Sequence, residues 1–264
     1  MSRYSADDGS ATQPHAKIER LPMALSVPLE EEFYPPFKGF PKSGLDFLKR
    51  LKRNNTREWF HRHKEEYEEN VRFPMQCLIA SLREQLREEI PELDFNPKRS
   101  IFRIYRDVRF SKNKTPYKTH IAASFELKGK KKSYDTPGLY VHIEPGAIFV
   151  GGGMYMPAGE QLKAIRNSIV AQPEEFLAVV ESRHFTTQFG GIQGERLQKA
   201  PLGFPKDHPL IEYLKHKQWY VGKEWENERI CFSPSFTKTV SVVLRDTMPL
   251  VRWLMSAIGY ARRA

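Results

Sequence analysis

Residues 138–153 read GLYVHIEPGAIFVGGG, two short runs, 138–144 and 147–153, joined by Glu144-Pro145-Gly146. Pro and Gly at the centre of such a connection favour a tight turn, so the pattern predicts a β-hairpin. In its first run Leu139, Val141 and Ile143 alternate with Tyr140 and His142, the period of a strand with one face buried. Working upstream, 119–127 alternate in the same way, with Ile121, Ala123, Phe125 and Leu127 set against His120, Ser124 and Glu126. In 101–111, Phe102, Ile104, Val108 and Phe110 alternate with Arg103, Tyr105, Asp107 and Arg109. Four such runs in near succession predict an antiparallel meander.

Helical patterns flank the strand block. Ser43 is read as the cap of a helix carrying Leu45, Phe47, Leu48 and Leu51 and ending near Asn54-Asn55. Thr56 or Asn55 caps a second helix with Trp59, Phe60, Tyr67 and Val71. Pro74 kinks the chain or opens a third helix, in which Leu78, Leu82 and Leu86 recur every four residues. Beyond the hairpin, helices are predicted over about 158–170, 173–181 and 209–215, and a long one from Ser235 that Pro249 should kink or split. The expected architecture is α+β, a central and mostly antiparallel sheet flanked by helices at both chain ends. Residues 1–37, rich in Ser, Ala, Pro and charge, read as an irregular tail, and 38–264 as a single domain.

With 40% hydrophobic and 28% charged residues the chain has a globular composition. Cys77 and Cys231 are far apart and outside any CxxC pair, which excludes a disulfide framework or a cysteine zinc site and suits a reducing cytoplasm. No apolar run approaches the roughly 20 residues needed to span a bilayer, so the reading is a cytoplasmic protein without a membrane partner.

Charge is distributed unevenly. Residues 98–132 hold twelve Lys and Arg against two acids, Asp107 and Glu126, and so carry the whole formal net charge of +10. A field concentrated in this way attracts phosphates and other anions. Arg106 shares the alternation phase of Phe102, Ile104, Val108 and Phe110. A guanidinium there is costly unless a carboxylate, carbonyls or an anionic ligand meets it. Ser111, Lys114, Thr115 and Lys118 crowd a loop stiffened by Pro116, a set suited to phosphate oxygens. The expected ligand set is Arg103, Arg106, Arg109, Ser111, Lys114, Tyr117 and Lys118.

If the protein is an enzyme, Asp107 or His120 is the acid/base. Arg103, Asp107, Arg109 and His120 are expected to converge on one pocket, with Lys114 and Lys118 at its rim. His142 shares the polar phase of its own strand, so with His120 and Asp107 it could serve acid/base or metal chemistry. The plainer reading of this region is a solvated basic surface with structural ion pairs and histidines. HExxH, GxSxG, GxGxxG and GxxxxGK[ST] are absent, and His61 and His63, two apart on a helix, cannot share a metal. No metal ligand set is assigned, and no cofactor is indicated. Gly151-Gly152-Gly153 is explained by close backbone packing.

Several motifs carry a resemblance. Asn54-Asn55-x-Arg57-Glu58-Trp59-Phe60, with Lys64 and Tyr67, is one, and Arg103 through Ser111 with Lys114-Thr115-Pro116-Tyr117-Lys118-Thr119-His120 is the longest. Gly151-Gly152-Gly153-x-Tyr155-x-Pro157 and Gly203-Phe204-x-x-x-His208-Pro209 complete the set. Together they resemble the domain of unknown function 2461 family from about Phe40 to the C-terminus. The resemblance implies no activity. Two positions depart from the family pattern: Asn113, where its members usually carry Asp, and Leu202, where they tend to carry Lys. The first argues against a carboxylate base or metal ligand in that loop. The functional expectation is therefore binding of a phosphate-bearing or other anionic small molecule in an Arg/Lys-rich sheet-and-loop site, with chemistry on it if the protein is an enzyme. The alternative is a non-catalytic nucleic-acid binder using the same cations, with Tyr105 or Tyr117 stacking on bases. An interaction scaffold held by Arg–carboxylate networks is the third reading.

Overall fold

In the computed structural model the chain divides into Met1–Phe33 and Tyr34–Ala264, and residues 33–129 and 135–260 are described. The tail 1–32 and Lys130–Lys132 lie outside the described residues. The second unit is α+β. Its sheet has four antiparallel strands in the order β1 (Ile121–Phe125), β2 (Gly138–Glu144), β3 (Ala147–Met154) and β4 (Trp219–Trp225). The β2–β3 hairpin turns at Pro145-Gly146, with Glu144 opposite Ala147, as the sequence requires.

The N-terminal helices are α1 (Lys42–Arg53), α2 (Arg57–Arg62), α3 (Lys64–Tyr67) and α4 (Phe73–Leu86), the last two linked by a π-helical turn over Glu68–Arg72. Thr56 caps α2 by accepting a hydrogen bond from the Trp59 amide. Ser43 is not a cap: Pro41 precedes α1, and the Ser43 hydroxyl inside it donates to Asn70 Oδ1. After the hairpin come α5 (Gly159–Ala171), α6 (Pro173–Val180), α7 (Arg183–Phe189), the short α8 (Ile211–Leu214) and α9 (Phe236–Ala257). α9 runs unbroken through Pro249 and backs one face of the sheet.

That backing separates the two faces. Leu139, Val141, Ile143, Ile148, Val150 and Val221 are buried in the main core. Gly152 sits beneath Thr247 of α9, where a Cβ would come within 2.5 Å of the hydroxyl. Close packing therefore accounts for this glycine. The opposite face, carrying Tyr140, His142, Glu144, Phe149, Tyr220 and Glu224, is not covered by α9.

Two expectations about the strands are corrected as well. Residues 101–111 do not form a strand. They make isolated bridges, Ile101 with Ala123 and Tyr105 with Tyr117, and the Arg106 amide donates to Pro116 O. The chain therefore folds back beside the edge of β1 as an irregular arm, and 107–115 form its tip without ladder partners. Phe110, on the apolar alternation phase of that run, is 96% exposed on the tip. The fourth strand is instead Trp219–Trp225, which joins the free edge of β3.

Candidate functional site

The arm places the predicted cations unequally. Asn55, at the turn between α1 and α2, clamps Tyr117 from both sides: its Oδ1 accepts from the Tyr117 amide at 3.0 Å, and its Nδ2 donates to the Tyr117 carbonyl at 3.0 Å. The Tyr117 ring is buried and stacks on Phe60 with centroids 4.2 Å apart. Anchored there, the chain directs Arg106, Lys118 and His120 into a cleft of about 470 Å³ that Lys52, Asn113 and Thr115 also line. Arg106 Nη1 donates to Thr115 Oγ1 at 2.9 Å, and that hydroxyl donates to Asn113 Oδ1 at 2.8 Å. Asn113 also accepts from the Thr115 amide, so its work here is to shape the loop.

Arg106 and Lys118 form no ion pair with any described carboxylate. Lys118 Nζ lies 5.2 Å from the Phe102 ring centroid, and burial, reinforced by nearby Arg103, pushes its pKa down. Asp107 lines the same cleft but is exposed, and Arg109 holds it by bonds of 3.0 and 2.7 Å. That pairing lowers the carboxyl to about 2 and keeps it ionised. The expected convergence is thus partial. His120, Asp107, Arg106, Lys118 and Tyr117 share the cleft, whereas Arg103, Arg109, Ser111 and Lys114 are not among its lining residues. Lys114 ties down the arm instead, donating to Val108 O at 2.9 Å.

A second cleft of about 530 Å³ covers the open sheet face. Its floor is a chain of rings that sequence reasoning did not assemble: Phe102–Tyr140, Tyr140–Phe149, Phe149–Tyr220 and Tyr220–Tyr155 are neighbours, with centroids 5.7–6.3 Å apart. Phe149 lies over Gly151 and Gly222, at each of which a Cβ would come within 2.8 Å of its Cζ. The missed signal is Tyr220-x-Gly222-x-Glu224, a period of two that becomes visible only once β4 is recognised as a strand.

The two clefts meet at a pair of imidazoles. His120, which lines the first, and His142, which lines the second, have ring centroids 4.3 Å apart. Tyr140 Oη is 3.2 Å from His142 Nδ1, and His142 Nε2 is 3.4 Å from Glu144 Oε2. Thr119 Oγ1 donates to Glu144 Oε1 at 3.3 Å. Burial, then His142, Lys118 and Arg106, lower the His120 pKa to about 4. Burial also lowers His142, against the opposing pull of Glu144. Both shifts favour the neutral ring, which has a lone pair to offer.

The profile of the family described as conserved hypothetical protein (DUF2461) matches residues 43–253, most of the chain, and the protein belongs to that family. No curated protein and no solved structure matches it. No helix among the described residues is long and apolar enough to cross a membrane.

Proposed function

We propose that this protein binds a small molecule bearing a phosphate or similar anionic group, seated against Arg106 and Lys118, with the ligand's ring or apolar body lying on the aromatic floor of the neighbouring cleft. The observation that carries this reading is that two partly desolvated cations, Arg106 and Lys118, face one cleft with no ion pair to a described carboxylate, since Asp107 in the same lining is taken by Arg109. Burying cations unpaired is costly, and a charge-assisted bond to an anion offsets that cost. Neutral His120 at the junction is the group placed to exchange a proton with such a ligand, while Asp107, locked to Arg109, positions that guanidinium.

The test is calorimetric titration of the full chain with inorganic phosphate and pyrophosphate. Arg106→Ala and Lys118→Ala should each weaken pyrophosphate binding by about tenfold or more, the range for a lost hydrogen bond to a charged group. Arg103→Ala should leave it within about twofold. Wild-type affinity in both cleft variants removes the reading. One feature favours the nucleic-acid alternative: Tyr105 is 52% exposed, Phe110 is 96% exposed, and the Arg109 guanidinium lies 5.8 Å from the Phe110 ring. Single-stranded oligonucleotide that binds more tightly than pyrophosphate, and loses affinity in Phe110→Ala, would establish that alternative instead.

A further inference from the structure

His142 and Glu144 are two apart on β2, so both project from its open face. β1 pairs with β2 through Ile121 opposite Ile143. Continuing that register by one residue puts His120 across from Glu144 and diagonal to His142. Three donor groups from two neighbouring chain segments therefore meet, one atom from each, with all three atoms within 4.8 Å of one another. We propose that His120, His142 and Glu144 form a binding site for a divalent transition-metal ion.

Several features support this beyond proximity. Donors bonded to one ion at about 2.0–2.2 Å stand about 3.0–3.6 Å apart, and His142 Nε2 and Glu144 Oε2 are already separated by 3.4 Å. Each has an outer partner. Tyr140 engages His142 Nδ1 and leaves Nε2 for the metal, and Thr119 holds the far oxygen of Glu144. Outer contacts of this kind orient metal ligands. Two imidazoles and a carboxylate suit zinc, iron(II), cobalt or manganese better than magnesium or calcium, which take oxygen ligands. Three protein ligands also leave positions open, the arrangement of catalytic rather than structural zinc centres. Lys118 and Arg106 face His120 and oppose a dication, while Glu144 and Glu224 face His142 and favour one.

The test uses untagged, chelator-treated full-length protein in phosphate-free buffer, so that its result does not depend on anion binding. Cobalt(II) is titrated and followed by its visible ligand-field absorption, with zinc(II) as competitor. One equivalent should bind per chain and be displaced by zinc. His142→Ala should abolish the signal, and Tyr140→Phe should lower affinity about tenfold, as loss of an outer partner does. Glu144→Gln, which preserves side-chain shape should His142→Ala fail to fold, should lower it at least tenfold. His184→Ala, at the pair with Asp246 outside this cluster, should change nothing. Failure of the wild type to bind either ion, or binding that survives Glu144→Gln unchanged, overturns the site.

Discussion

The two faces of one sheet are built from alternate residues of the same strands, yet they answer to different constraints. On the closed face Val141 and Ile143 pack under α9 with no exposed surface. On the open face their neighbours Tyr140, His142 and Glu144 keep partial exposure and hydrogen-bond one another. The closed face gains its free energy from burying apolar area, which any well-fitting hydrophobe supplies. The open face places polar groups at fixed separations on a rigid backbone, which only particular residues supply. Strand alternation thus lets stability and chemistry be encoded side by side with little interference.

The largest expected break is on the closed face. Phe125 is fully buried, with its ring stacked 4.5 Å from that of Phe95. Phe125→Ala should cost about 3–5 kcal/mol in chemical denaturation, the range for a buried aromatic truncated to Ala. A loss below about 1 kcal/mol would show that the face repacks and that the comparison is drawn too sharply. A smaller effect is expected opposite. At Gly222 a Cβ would lie 2.5 Å from Phe149 Cζ and 2.6 Å from Val150 O, so Gly222→Ala must shift the ring or the backbone. It should cost about 1–3 kcal/mol by overpacking. It should also weaken whatever ligand lies on the aromatic floor. An unchanged denaturation midpoint would mean that Phe149 swings away freely and that the floor is not rigid.

Alternation that made the hairpin legible also misled. Residues 138–153 alternate and carry their own turn, so their pairing is local. Residues 101–111 alternate as well, but a strand needs a neighbour running alongside it, and only the part near Ile101–Arg106 finds one, through isolated bridges. The alternation there does set exposure: Arg103, Tyr105, Asp107 and Arg109 face out, while Ile104 is buried and Arg106 lines the cleft. Arg106 was thus legible as a cation on an apolar phase. β4 was hidden because Lys223 occupies the phase of Val221 and only finds its partner, Gln188, in the fold. The aromatic floor and the role of Glu144, read as a turn residue, were hidden with it, since both depend on which strands lie side by side. That Asp107 is taken by Arg109 is a side-chain choice two residues away, which spacing permits but does not decide.

The smallest effect tests whether a histidine on the closed side behaves differently from those on the open one. His216 is 1% exposed beside Trp219, with centroids 5.3 Å apart, and its Nδ1 has no partner among the described residues. Burial, then Arg196, lowers its pKa to about 4, with the Gln218 backbone and Glu212 pulling weakly the other way. An unfolded histidine titrates near 6.5. As pH falls below that value the unfolded chain takes up a proton that the folded chain refuses. The stability contributed by neutral His216 is therefore complete above about pH 6.5. It declines with acid and is gone once pH passes below about 4, where both states are protonated. His120 and His142 are lowered too and add to the same slope, so the informative quantity is a difference. His216→Leu should flatten the fall in urea midpoint between pH 7 and pH 5 without abolishing it, because His120 and His142 still contribute. A fall identical to that of the wild type would mean that His216 is protonated inside the fold, with water or a backbone carbonyl reaching Nδ1, and that the closed side is less sealed than its packing indicates.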